Sequence, residues 1–204
     1  MTTTEAPTAT APSTCQCHLS IAEMRDGCIA YGREALMQHG HLDPMLFIDM
    51  GETIAQLPVN FADQAAQQAF IANVRDICIA FRPRAVALIC ESFARPTPSD
   101  NGSQPELAAD PNSWKAMTLH LASPREEFQI LSEIRRDASG GVVDVVPVTG
   151  PRAPSNVRGI TGFYPATSPS VSKRAAARDR VEAVLPPCVF DRLQDLADRL
   201  PQTV

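Results

Sequence analysis

Residues 63–93 read DQAAQQAFIANVRDICIAFRPRAVALICESF, and this stretch decides the fold because it predicts a long helix followed at once by a buried strand. Asp63 can accept hydrogen bonds from the first free backbone N–H groups, and Pro83 disfavours a helical conformation at Arg82. Between these ends, apolar residues recur at helical spacing on one face: Phe70, Val74, Ile77, Cys78 and Phe81. We therefore predict a helix of about five turns from Asp63 to Arg82.

The strand that follows is expected to lie inside the sheet. Ala85 to Cys90 are six apolar residues without alternation. A strand with one solvated face alternates between apolar and polar residues, whereas a strand covered on both faces does not. We therefore predict that the strand from Ala85 to Phe93 is the central one.

A first helix is predicted N-terminal to this unit. Ser20 and Glu23 form a capping-box pattern, and Gly40 is placed for a left-handed cap after the last helical residue. Gly27 and Gly32 lie inside this helix and lower its propensity. They indicate either close packing against another element or a weaker helix, and the sequence does not separate the two.

Strand patterns predict the rest of the sheet. Residues 45–50 and 53–59 form a hairpin around a tight turn, and Pro58 places the end of its second strand at an edge or a terminus. The alternating segments 114–121, 127–136 and 142–148 predict an antiparallel meander. The predicted class is α+β: a mixed, largely antiparallel sheet with flanking helices and a C-terminal helical pair.

Composition divides the chain into four parts. Residues 1–18 are mostly Thr, Ala and Pro, which predicts a disordered tail before an α+β domain over 19–148. Residues 149–171 carry many Pro and Gly and are interpreted as a linker, and 172–204 predict the helical pair. The loop 94–113, long for a compact domain, is interpreted as mobile or functional.

Bulk charge and cysteine usage limit the function classes. The 204 residues include 23 acidic and 18 basic side chains, a net charge of −5, which does not favour nucleic acid or an anionic membrane. No apolar run has the length of a membrane span, and no secretory signal pattern opens the chain. Six scattered cysteines are typical of reduced thiols. We expect a cytoplasmic protein that binds neither nucleic acid nor membrane.

A metal or cofactor site is not expected. Cys15, Cys17 and His18 are ligand types that suit zinc, but structural zinc sites bring paired ligands from two places and the chain has one such cluster. His39 and His41 lie at a helix C-terminus, where capping is the favoured role. No Gly-rich loop precedes a helix with Lys-Ser or Lys-Thr, so no phosphate cradle is predicted.

Three carboxylates are the candidate catalytic residues. Asp49 and Glu52 flank the tight turn, and Glu91 closes the central strand before the loop 94–113. Carboxylates at strand ends can work as acid and base or hold a cation. Turn formation and solvent exposure at a strand end explain the same residues without a catalytic role.

The C-terminal helices are candidates for partner contact. Their apolar stripes need a cover, because helices of about four turns are marginal alone in water. We expect contact with a protein partner or a second copy through Val181, Leu185, Leu193, Leu196 and Leu200. Docking on the chain's own domain is the alternative.

Residues 45–59 and the segment Arg82-Pro83-Arg84-Ala85 to Glu91-Ser92-Phe93 resemble a family of small uncharacterised bacterial α+β proteins. That family has a hairpin, a helix and a strand that ends in Glu, then Ser or Ala, then an aromatic residue. The resemblance covers about residues 45–148 and implies no activity.

Two functions follow from these patterns. No complete nucleophile, metal or phosphate constellation can be assembled, so the favoured expectation is a non-catalytic cytoplasmic binding or regulatory protein that acts through protein contact. The alternative is a small hydrolase-like enzyme that uses the three carboxylates beside the loop 94–113. The two differ in geometry, because the enzyme requires the carboxylates to converge in one cleft.

Overall fold

The computed structural model describes residues 19–51, 53–61, 63–94, 111, 113–149 and 162–199. In chain order these residues form α1 (Ile21–His39), β1 (Met45–Asp49), β2 (Ile54–Pro58), α2 (Gln64–Phe81), β3 (Ala85–Ala94), β4 (Trp114–Ala122), β5 (Glu127–Arg136), β6 (Val142–Pro147), α3 (Val171–Val184) and α4 (Pro187–Arg199). The predicted α+β class is confirmed.

The helix–strand unit forms as its sequence predicts. The Asp63 carboxylate accepts a hydrogen bond of 2.7 Å from the Ala66 N–H at the start of α2. At the other end Arg82 adopts a left-handed conformation with φ 51°, and its N–H bonds the Cys78 carbonyl. Pro83 follows and the chain turns directly into β3.

The strands form one sheet in the order β2-β1-β3-β4-β5-β6. All five pairings are antiparallel, so the described sheet contains no parallel pair. The strand β3 has a neighbour on each side, which confirms the prediction that it is central. The strands β2 and β6 are the two edges.

Helices cover both faces of the sheet and make three layers. On the first face, α1 packs over Ala87 and Ile89 of β3. On the second face, α2, α3 and α4 pack over Val86 and Leu88. All four strand residues are fully buried, which explains why β3 does not alternate.

The close packing of α1 resolves the question about its two glycines. The capping box of Ser20 and Glu23 is present, and Gly40 is a left-handed cap with φ 75°. A Cβ on Gly32 would lie 2.5 Å from Ile89 Cδ1 and 2.6 Å from Met117 Sδ, whereas a Cβ on Gly27 would meet nothing within 4 Å. A side chain at position 32 would therefore have to displace packed neighbours, whereas one at position 27 would not.

The described end of the predicted linker is packed in the core, which the linker interpretation did not anticipate. Phe163 is only 1% exposed. The Gly162 N–H donates to Glu127 Oε2 at 2.9 Å, and its carbonyl accepts from Arg75 Nε at 2.7 Å. The Tyr164 hydroxyl donates to the Pro83 carbonyl at 3.0 Å. Residues 162–164 therefore fasten the chain between the sheet and α2.

The two C-terminal helices dock on this layer. The Arg180 guanidinium makes two hydrogen bonds of 2.7 Å with the Asp76 carboxylate, which joins α3 to α2. The ring of Phe190 on α4 meets that of Phe81 on α2 edge-on, with centroids 5.7 Å apart. In the described ranges no helix combines the length and the apolar character needed to cross a membrane.

Candidate functional site

Asp49 is a buried turn residue. It is 4% exposed, and its Oδ1 accepts a hydrogen bond of 2.7 Å from the Gly51 N–H in the turn between β1 and β2. The backbone of Asp49 also contributes, because its carbonyl accepts from the Arg84 N–H at 2.8 Å. The side chain that sequence placed among the catalytic candidates therefore holds the hairpin turn.

Glu91 fastens α1 to the sheet. Its Oε1 accepts from the Leu42 N–H at 2.8 Å, just after the C-terminus of α1. Its Oε2 lies 3.7 Å from Lys115 Nζ and 3.8 Å from an Arg136 guanidinium nitrogen. The same Arg136 nitrogen donates to the Gly40 carbonyl at 2.8 Å. The carboxylate and its cations therefore satisfy backbone groups at the end of a helix.

The structure does not bring these two carboxylates together. Asp49 lies opposite Ala85, and Glu91 is six residues further along β3. At roughly 3.3 Å per residue the separation is about 20 Å. Glu52, the third candidate, lies outside the described residues. The convergence that the hydrolase-like alternative requires is absent between Asp49 and Glu91.

Histidine and cysteine side chains form no metal centre in the part of the chain that the structure describes. No three His, Cys, Asp or Glu side chains there are grouped to hold an ion. The prediction for Cys15, Cys17 and His18 lies outside the described residues and stays a prediction. His41 Nδ1 lies 3.0 Å from the His39 carbonyl and donates to it, so His41 caps the end of α1.

Strand pairing assembles a row of polar side chains that the sequence analysis did not anticipate. Cys90 and Ser92 of β3 lie on the same face as Thr118 and His120 of β4, and His120 lies opposite Gln129 of β5. Members of the row that lie on different strands are 9 to 39 positions apart in the chain, so only the register brings the three strands' side chains together.

The row does not provide an activated nucleophile. Burial raises the pKa of the Cys90 thiol to about 12, and the charge of Glu91 adds to the shift, so the thiol is protonated at neutral pH. The hydroxyls of Ser92 and Thr118 are hydrogen bonded to each other. The His120 ring has Gln129 Nε2 at 2.9 Å from its Nε2. The described contacts are those of a polar network inside a sheet.

The predicted partner-contact residues belong to the chain's own core. Val181 and Leu193 are 0% exposed and Leu196 is 7% exposed. Leu185 packs partly buried against the same cluster, and Leu200 lies outside the described residues. This is the docking alternative, so these side chains are not available to a partner while α3 and α4 stay in place. The four described residues of this set follow the docking alternative, and the prediction for Leu200 stays a prediction.

A small cavity lies on the second face of the sheet. It has a volume of about 140 Å³ and is lined by Trp114, Glu133, Arg135 and residues 146–149. Sites for drug-sized ligands are roughly 300–1,000 Å³. The cavity is therefore too small to be the principal candidate site.

The outer edge of β2 is an open pairing surface. The Val59 N–H bonds the Pro44 carbonyl and the Met50 N–H bonds the Thr53 carbonyl, each at 2.9 Å. Because hydrogen bonding alternates along an antiparallel pair, residues 53, 55, 57 and 59 bond β1 and residues 54, 56 and 58 face outward. Among the described residues no strand pairs with this outer edge. Residues 53–61, TIAQLPVNF, carry no charge.

The outer edge of β6 is blocked. The Val148 N–H bonds the Leu131 carbonyl at 2.9 Å, so the same alternation turns Val145 and Pro147 outward. The Val145 N–H is already bonded at 2.8 Å to the carboxylate of Asp144, and Pro147 has no N–H. The pairing of β5 with β6 also shifts register near Arg136. Charge, proline and irregular pairing are the features that protect sheet edges.

Neither a protein-family model, a curated protein nor a solved structure matches this chain. The candidate site, which is the outer edge of β2, is therefore identified from the chain's own residues. Sequence indicated part of it, because Pro58 predicted an edge or a strand end. The difference between the open edge of β2 and the protected edge of β6 became visible only from the register of the β1–β2 and β5–β6 pairs.

Proposed function

We propose that this chain is a non-catalytic binding protein that acts through protein contact, and that the contact is the outer edge of β2. The observation that carries the proposal is the difference between the two edges. An unpaired edge invites association with any extended chain, so an edge without a use is normally protected. The edge of β6 has such protection, whereas among the residues that the structure describes the edge of β2 has Pro58 alone.

The mode of contact is strand addition. Outward N–H groups of Ile54 and Gln56 and outward carbonyls of residues 54, 56 and 58 form the hydrogen-bonding side. On the second face, Ala55 and Leu57 pack against the core beside Phe61 and Phe70, whose rings meet edge-on with centroids 5.2 Å apart. Every second side chain of an added strand would contact this apolar surface. The occupant is therefore an extended protein segment with apolar residues at alternate positions.

Other features support a non-catalytic role in the cytoplasm. The carboxylates of Asp49 and Glu91 and the side chains of the polar row bond structural groups. The four described cysteines, Cys28, Cys78, Cys90 and Cys188, are free thiols, which fits a reducing compartment. The net charge of −5 and the pairing of Arg180 with Asp76 do not favour nucleic acid.

A displayed library of extended peptides, selected against the full-length chain, tests the proposal. The selected peptides are synthesised and their affinity is measured by fluorescence anisotropy for wild type, Gln56→Pro and Val145→Pro. Both substitutions place proline at an outward position of an edge strand, where no bond to the neighbouring strand is lost. Because Val145 is also buried in the core, each variant is first required to show the wild-type circular dichroism spectrum and melting temperature. We expect Gln56→Pro to weaken binding about tenfold through loss of a backbone hydrogen bond, and Val145→Pro to leave it unchanged. Peptides that bind Gln56→Pro as tightly as wild type would refute the edge of β2 as the contact.

A further inference from the structure

We infer that the segment received by the edge of β2 is β2 of a second copy of this chain, paired antiparallel about a twofold axis at Gln56. The inference rests on the proposed function and names its partner. It would extend the antiparallel order of the sheet across the interface. A twofold contact uses one surface twice, so the surface has to complement itself.

The backbone of β2 meets this requirement. In the twofold register Gln56 lies opposite Gln56 of the second copy, and Ile54 lies opposite Pro58. The two Gln56 residues exchange both of their N–H···O bonds, and each Ile54 N–H donates to a Pro58 carbonyl. Pro58 lacks an N–H, so it forgoes one donor per chain, and its carbonyl remains in use.

The side chains complement themselves in the same register. On the second face Leu57 lies opposite Ala55 of the second copy, so that a large residue meets a small one on both sides of the axis. On the first face the two Gln56 amides meet and can hydrogen bond to each other. Cross-strand pairs of this kind stabilise a sheet, and like charges placed opposite each other would destabilise it. A charge at position 56 would face its own copy across the axis, and residues 53–61 carry no charge there or elsewhere.

The interface is expected to be weak and reversible. One pair of five-residue strands with its flanking side chains buries less than the roughly 1,200 Å² at the lower end of stable interfaces. The dimer should therefore dissociate on dilution. Light scattering of the full chain over a dilution series is expected to show twice the mass of one chain at the concentrated end and a single chain at the dilute end.

Cysteine crosslinking tests the register. Residues at a hydrogen-bonded antiparallel pair have Cα atoms about 5.5 Å apart, within disulfide range, so Gln56→Cys should form a covalent dimer on mild oxidation. Ile54→Cys is the matched control, because it faces the same edge but lies four residues, about 13 Å, from its symmetry mate. Both variants are made in a chain with Cys15, Cys17 and Cys188 changed to Ser, so that the remaining native thiols are the buried or half-buried Cys28, Cys78 and Cys90.

The outcomes separate this inference from the proposed function. A concentration-dependent dimer that is lost in Gln56→Pro, kept in Val145→Pro and crosslinked at Gln56→Cys far more than at Ile54→Cys supports it. A chain that stays monomeric, or equal crosslinking at both positions, overturns it. In that case, library peptides that bind wild type but bind Gln56→Pro more weakly would support the proposed function with a different partner. If no such peptides were found, both the dimer and the proposed function would be refuted.

Discussion

Alanine at the two glycines of α1 is predicted to have opposite consequences, although both lie in one helix. Helix propensity favours alanine over glycine by about 1 kcal/mol at an interior position. A Cβ at Gly27 meets nothing within 4 Å, so Gly27→Ala should raise the free energy of unfolding by about 1 kcal/mol. The same gain applies at Gly32, but there the added methyl enters occupied space.

The size of the opposing effect follows from the contacts at Gly32. A Cβ there would be 2.5 Å from Ile89 Cδ1 and 2.6 Å from Met117 Sδ. Ile89 is 0% exposed and Met117 is 1% exposed, so neither side chain can make room by moving into solvent. Forcing a methyl into a packed core costs roughly 1–3 kcal/mol. Gly32→Ala should therefore change stability by between about zero and a loss of 2 kcal/mol.

The difference between the two variants is the quantity to measure. Propensity cancels in the comparison, which leaves the packing cost of about 1–3 kcal/mol. Urea unfolding followed by far-UV circular dichroism gives both free energies, with equal m-values as the check on two-state behaviour. Adding Ile89→Val to Gly32→Ala removes one of the two close atoms, so the second substitution should cost less there than in wild type. Equal stability of Gly27→Ala and Gly32→Ala would refute the close packing of α1 on the sheet.

Two further predictions concern the C-terminal helices and the cysteines. Leu193→Ala should lower the free energy of unfolding, measured by urea titration, by about 2–5 kcal/mol because Leu193 is fully buried. Arg180→Ala breaks an ion pair whose guanidinium is half-exposed, so it should lower the same free energy by less than about 1 kcal/mol. Comparable losses in the two variants would contradict docking of the helices through apolar burial. Burial raises the pKa of the Cys28 thiol to about 12, so it should resist iodoacetamide at pH 8 in the folded chain, while the exposed Cys188 should be alkylated, as peptide mass spectrometry would report. Because the thiolate is the reactive form, raising the pH to 9 should leave Cys28 unmodified until urea unfolds the chain, and early labelling of Cys28 would contradict its burial.

Local patterns predicted the elements because their physical causes are local. Capping by Ser20 and Asp63 and the helical spacing of apolar residues act within a few turns, so the helices begin and end close to where sequence places them. The uninterrupted apolar run of β3 indicates that both faces of the strand are covered, so this tertiary property can be predicted from one segment. Residues 162–164 are different: their Gly and Pro context indicated a linker, but burial of Phe163 depends on a pocket formed by distant elements.

The candidate site was less predictable because it depends on pairing between distant segments. Asp49 and Glu91 both occupy strand positions typical of catalytic carboxylates, and only the register shows that about 20 Å separates them. The stripes of α3 and α4 correctly indicated a need for cover. They could not indicate whose surface provides it, because an apolar stripe has the same pattern when it faces its own domain or a partner.

The two edges of the sheet show why an interface can be inferred even where the described residues assemble no catalytic site. Both β2 and β6 end a six-stranded sheet, so both carry the same risk of pairing with another chain. At β6 the Asp144 carboxylate bonds the outward N–H of Val145, and this bond does nothing for the pairing with β5. A side chain in that arrangement occupies a donor that an added strand would need. The outward N–H of Gln56 on β2 has no charged residue in its own strand to play the same part. Since one edge is protected in this way and the described residues of the other carry no charge, the edge of β2 is where we propose that pairing has a use.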